Sequence, residues 1–173
     1  EGTVLAAANL VGIVASHPSN PEEAVNGLFE ELLELASPVV GHGVPNRGAL
    51  VTLAFLTSRL LYRGRENIVQ PKALEALYAE LSASLKSTSL KQTETGVISV
   101  TEIAKFGGFG PEFNRDGAIQ NHKTDIVEAV KEKVKKLDEK SIIALALLSL
   151  SEPESVDEEL SEYEASISST HST

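Results

Sequence analysis

The chain has 173 residues, 42% of them hydrophobic, with 25 acidic against 15 basic side chains and a net charge of −10. That length fits one compact domain plus a tail, with enough apolar content for a core and no apolar stretch near the ~20 residues of a bilayer-spanning helix, so a soluble protein is expected. Cysteine is absent, which excludes disulfides, thiolate metal sites and cysteine nucleophiles; methionine and tryptophan are absent too.

The first residue is Glu1 rather than Met, as expected of a processed or trimmed product, and no targeting signal is visible. Thr3 to Ser16 is an apolar run interrupted mainly by Asn9 and Gly12, which reads as a buried first helix ended by His17-Pro18-Ser19. A second helix follows, with Asn20 expected as its cap, Pro21 at its first position, and Glu22 and Glu23 facing the positive end of the helix dipole. Val25, Leu28, Phe29, Leu32 and Ala36 share its inward face, while Glu30, Glu31 and Glu34 take the solvated one.

After a connector in which Gly41 and Gly43 flank His42, the stretch Pro45 to Arg63 predicts a helix apolar on almost every side. Leu50, Val51, Leu53, Ala54, Phe55, Leu56, Leu60 and Leu61 can all be buried only if other elements surround it, so it is expected to form the centre of the fold. Arg59 and Arg63, four apart, share a face, with Arg65 just beyond; they are candidates for phosphate or partner contact, or for pairing with the glutamates of the second helix or the tail.

Pro71 opens a third amphipathic helix with Ala73, Leu74, Leu77, Tyr78, Leu81 and Leu85 at helical spacing. Ser87 to Gly96, without periodicity and rich in short polar side chains, reads as a flexible surface loop. Ser99-Val-Thr-Glu102 has capping-box spacing and would start a short helix stopped by Gly107 and Gly108. The following Gly-rich segment lacks the strand, the Lys-Ser/Thr and the spaced glycines of phosphate-binding loops; Phe106, Phe109 and Phe113 are expected to anchor it on the core.

Thr124 to Asp138 predicts a solvated helix with Ile126, Val127, Val130, Val134 and Leu137 inward and its lysines toward the C-terminal end. Ser141 can cap a last helix, apolar on nearly every face and therefore expected in the interior. From Ser151 the chain turns acidic and Ser-rich: Glu152, Glu154, Asp157, Glu158, Glu159, Glu162 and Glu164 have no basic neighbour, so most of the excess charge sits in this tail. Val156, Leu160, Tyr163 and Ile167 recur at roughly helical spacing and offer a stripe by which the tail could dock, a neighbouring subunit being the expected holder.

His17, His42, His122 and His171 are the only imidazoles, and none stands in a metal-binding H-x-x-x-H or beside a G-x-S-x-G. No catalytic, cofactor-binding or metal-binding residue is assigned. Two short stretches, Asn46-Arg47-Gly48-Ala49 at the start of the central helix and Lys105 to Phe113, resemble a little, and in the same order, the N-W-G-R and G-G-W motifs of the Bcl-2 apoptosis regulators. Arg47 stands where that family has Trp and Ala49 where it has its partner-binding Arg, so no functional residue is carried over.

The fold expected is all-α: a single helical-bundle domain over 1–150, about six helices around a buried central one, with an acidic tail over 151–173. The function expected is that of a non-enzymatic structural or protein-interaction subunit of a larger or self-associating assembly. The alternatives are a coat or nucleocapsid protein of a helical virus, gripping RNA backbone through Arg59, Arg63 and Arg65, and a Bcl-2-like helical regulator.

Overall fold

A computed structural model describes residues 2–37, 45–110, 118–134 and 139–149. The fold is all-α. Among the described residues there are seven helices and no strand: α1 (Gly2–Ala15), α2 (Glu22–Ala36), α3 (Arg47–Tyr62), α4 (Pro71–Lys86), α5 (Leu90–Ala104), α6 (Ala118–Val134) and α7 (Glu139–Ser149), with a 3₁₀ turn at Glu66–Ile68 before α4.

The central helix forms where its sequence predicts. Asn46 accepts a hydrogen bond from the Ala49 N–H (3.2 Å), and residues on every side of α3, including Leu50, Val51, Leu53, Ala54, Leu56 and Leu60, are buried. Its end is a Schellman turn. Gly64 takes φ +63°, the Gly64 N–H bonds Leu61 O and the Arg65 N–H bonds Leu60 O, which satisfies carbonyls that the helix leaves open. α1, α2 and α5 pack directly on α3; α4 lies against α5 and α6, and α7 against α5 and α6. The stripes expected of α2 and α4 point inward: Val25, Phe29 and Ala36 of α2 and all six predicted positions of α4 are buried.

Four expectations change. Only Ser87 to Ser89 of the expected loop lies outside a helix: α5 begins at Leu90 and runs unbroken to Ala104, so the short helix expected from Ser99 starts nine residues earlier. Two of its threonines misled the periodicity because their hydroxyls are satisfied within the helix. Thr95 and Thr101 donate to the carbonyls of Lys91 and Val97 (2.8 and 2.7 Å), and Gly96 lets α5 approach α4 so closely that a Cβ there would lie 3.1 Å from the Leu85 nitrogen. Ser99 and Glu102 therefore sit inside a helix, both buried, and form no capping box.

The second change concerns α1, which buries only Ala8 and Gly12 of its fourteen residues instead of being enclosed. Third, Asn20 does not cap α2, whose cap position is Pro21; the Asn20 amide instead donates to Val14 O and Ala15 O (2.6 and 3.1 Å) and closes the end of α1. Fourth, α7 buries Ser141, Ala144, Leu145 and Leu148 but leaves Ile143 about half exposed, so it lines the core rather than filling it. α6 also starts six residues earlier than its predicted Thr124.

The glycine-rich exit from α5 is anchored as its aromatics suggest. Gly107 takes φ +79°, the Gly108 N–H bonds Ile103 O, and Gly108 fits so tightly that a Cβ would fall 2.2 Å from Ile103 Cγ2. Phe109 is buried edge-on against Tyr78 (5.4 Å between centroids), and the Tyr78 hydroxyl donates to Gly108 O. Burial pushes that phenol far above its ordinary range, so it stays protonated and acts as a donor. Lys123, also buried, donates to Gly110 O (2.9 Å) and ties the same segment to α6. Phe113 lies outside the described residues.

Candidate interaction surface and adjoining groove

Helix α1 meets α3 through small residues. A Cβ on Gly12 would come within 2.9 Å of the Phe55 carbonyl carbon and oxygen, so the two backbones approach as closely as a glycine permits. Close approach fixes which side of α1 faces inward, and the opposite half is left to solvent. That half is almost wholly hydrocarbon: Leu10, Val11, Ile13 and Val14 are exposed, Leu10 to 61% and Val14 to 59%, with Ala6 and Ala7 beside them, while Val4, in the row of Ala8 and Gly12, belongs to the groove side. Thr3, Ala7, Leu10 and Val14, all exposed, follow one another at intervals of four, three and four, the spacing of a seam that accepts side chains of a facing helix. No charged side chain lies on α1.

Beside α1 is a groove of about 600 Å³ walled by Val4 and Leu5 of α1, Val51 and Phe55 of α3, Val97 and Ile98 of α5, and Ile143 of α7. Arg47, Glu94, Glu102, Lys105 and Lys140 supply its charges. Glu94 pairs with Lys140, and buried Glu102 pairs with Lys105 (2.9 Å) while accepting from Ser58 (3.3 Å). Arg47, exposed in the first turn of α3, makes no hydrogen bond or ion pair among the described residues. Among the described residues no histidine lines the groove. Among the described residues no group of three or more His, Asp or Glu could hold a metal ion.

The three arginines singled out in the sequence do gather at the C-terminal end of α3, but most of their donors turn inward. Arg65 donates to the carbonyls of Ser16, His17 and Asn20 (3.0, 2.6 and 3.1 Å), clasping the corner between α1 and α2. Arg59 donates to Asn9 Oδ1 (2.8 Å) and lies 5.4 Å over the Phe106 ring, which itself packs edge-on against Tyr62. Arg63 has one buried guanidinium nitrogen with no hydrogen-bond partner among the described residues, as do Arg59 Nε, Glu66 Oε2 and Ser99 Oγ. Their counterparts are thus an asparagine, a ring and backbone carbonyls of the α1 corner, not the glutamates of α2.

The tail stripe of Val156, Leu160, Tyr163 and Ile167, and also His42 and His171, lie outside the described residues. His17 is exposed beside Ser19, and His122 is half-buried on α6 near Asp125. Among the described residues no helix is long and apolar enough to cross a membrane.

Sequence reasoning missed two features here. The open face of α1 was hidden because a helix apolar all round gives no inward direction; the signal that finds it is Ala8 and Gly12, small residues four apart. Arg47 was passed over because its significance comes from the walls of the groove, which belong to four separate helices. Comparison with family models, curated proteins and solved structures finds no match to this chain.

Proposed function

We propose that this protein is a non-enzymatic structural or protein-interaction subunit of a self-associating assembly, built as one helical-bundle domain over 1–150 with an acidic tail, and that α1 is its contact surface. The observation that carries the reading is the uncharged outer half of α1, with Leu10 and Val14 more than half exposed in a helix-pairing seam. Apolar area of this continuity on a water-facing helix marks a site of association. Because the face bears no charge, a second copy meets no repulsion on it, and two such helices can pack side by side at the usual ~8–10 Å.

A fourteen-residue helix is about 21 Å long, and a face one helix wide is smaller than the ~800 Å² per partner of a standard interface. Each contact is therefore modest, which suits a component that relies on repetition. Analytical ultracentrifugation across a concentration series tests the proposal. Concentration-dependent association is expected, together with its loss in the double variant Leu10→Glu, Val14→Glu and an unchanged circular dichroism spectrum. A wild-type chain that stays monomeric throughout, or a variant that associates equally well, would overturn it.

A further inference from the structure

We infer that the groove between α1, α3, α5 and α7 is a binding site for a single-chain amphiphile with one negative head group, a free fatty-acid carboxylate being the class that fits. The volume, about 600 Å³, lies within the ~300–1,000 Å³ of small-molecule sites. The residues contributed by α5 and its C-cap extend from Glu94 to Lys105, which at ~1.5 Å per residue spans about 16 Å, the length of an acyl chain of roughly a dozen carbons.

The polar groups decide the ligand's chemistry. Thr95 and Thr101, both on the wall, give their hydroxyl protons to their own helix, and the glutamates Glu94 and Glu102 are matched by Lys140 and Lys105. Among the described residues, what the groove offers a guest is therefore hydrocarbon from Val51, Phe55, Val97 and Ile98, plus one cation without a partner there, Arg47. A peptide would bring backbone carbonyls for which the two threonines have no proton left to give, each costly to desolvate. A carboxylate on an alkyl chain brings one charge, and a guanidinium receives it in two parallel hydrogen bonds. The groove and the outer seam of α1 are separate surfaces, so this inference does not rest on self-association.

The test is calorimetric titration of the full chain with monomeric dodecanoate and, as a head-group control, dodecyltrimethylammonium. One dodecanoate per chain is expected, at least tenfold tighter than the cationic amphiphile. Arg47→Ala should erase the preference while leaving the fold intact, since Arg47 is exposed and holds no partner among the described residues. Ile98→Trp, which fills the groove from a half-buried position, should weaken both ligands with an unchanged circular dichroism spectrum; should that variant fold poorly, Val51→Phe, from the facing wall, gives the same readout.

Equal affinity for the two head groups, undiminished dodecanoate binding by Arg47→Ala, or no binding at all would overturn the inference. So would binding seen only with anionic phospholipid vesicles. A chain with Val156, Leu160, Tyr163 and Ile167 all changed to Ser separates a competing occupant: if dodecanoate binds only then, the groove belongs to the tail and the inference fails.

Discussion

Gly12 is the point at which α1 and α3 touch backbone to backbone, and the Phe55 carbonyl, 2.9 Å from where a Cβ would stand, leaves no room for a side chain. Gly12→Val should force the helices apart and destabilise the fold by about 1–3 kcal/mol, measured by urea denaturation. Tyr78→Phe acts differently. It preserves the ring against Phe109 but strands the buried Gly108 carbonyl, an expected loss of about 1–3 kcal/mol in the same assay. Ser99→Ala should run the other way, since its buried hydroxyl has no partner among the described residues and its removal relieves a desolvation cost; a gain of a few tenths to about 1 kcal/mol is expected. At this scale the sequence is informative where a residue type has a narrow use, as with Pro71 opening α4, and silent where meaning comes from a distant neighbour. Nothing local to Arg65 says that it will hold the carbonyls of Ser16, His17 and Asn20.

Among the elements, α2, α3 and α4 are legible because a run of large apolar residues at helical spacing has one physical solution in water. α5 is not, for a reason that lies in its neighbours. It sits between α3, α4 and α7, where space is short, and it is built of Thr, Ser, Gly and Val so that the flanking helices can come close. Low bulk then looks like low hydrophobicity, and threonines that are buried or half-buried look like a loop. The distinction is measurable: amides of residues 94–104 should be among the slowest to exchange with deuterium, whereas a surface loop over 87–96 would exchange within seconds. α1 errs in the opposite sense, since its composition says core and its single close contact leaves half of it in solvent. The candidate surface and groove share this origin, as both are made by how helices are juxtaposed and neither by a motif.

For the whole molecule, charge is the variable that an experimenter can move. The net charge of −10 at pH 7 disfavours contact between copies, and it vanishes near the isoelectric point of about 4.9. Self-association should therefore strengthen between pH 7 and pH 5, visible as a rising sedimentation coefficient at fixed concentration. Unfolding does not intervene through the Lys86–Asp125 pair. The Lys86 ammonium, 2.8 Å away, hydrogen-bonds Asp125 and holds its carboxyl below the usual range, so the pair's contribution is present above the unfolded carboxylate's pKa and is lost only as pH falls through the lower, folded value. Both partners are about half exposed, so that contribution is small and weakened by salt.

The Arg65 clasp has a further consequence, in the order of events during synthesis. The corner it closes ends at Asn20, but the guanidinium that closes it and the α3 backbone on which Gly12 rests are made some 35 to 45 residues later. Until they leave the ribosome, α1 has neither a surface to lie on nor a fastener for its end, and both its halves are bare hydrocarbon. Apolar surface left open in this way during synthesis is prone to non-native contact, and that exposure is expected to end once Arg65 has emerged.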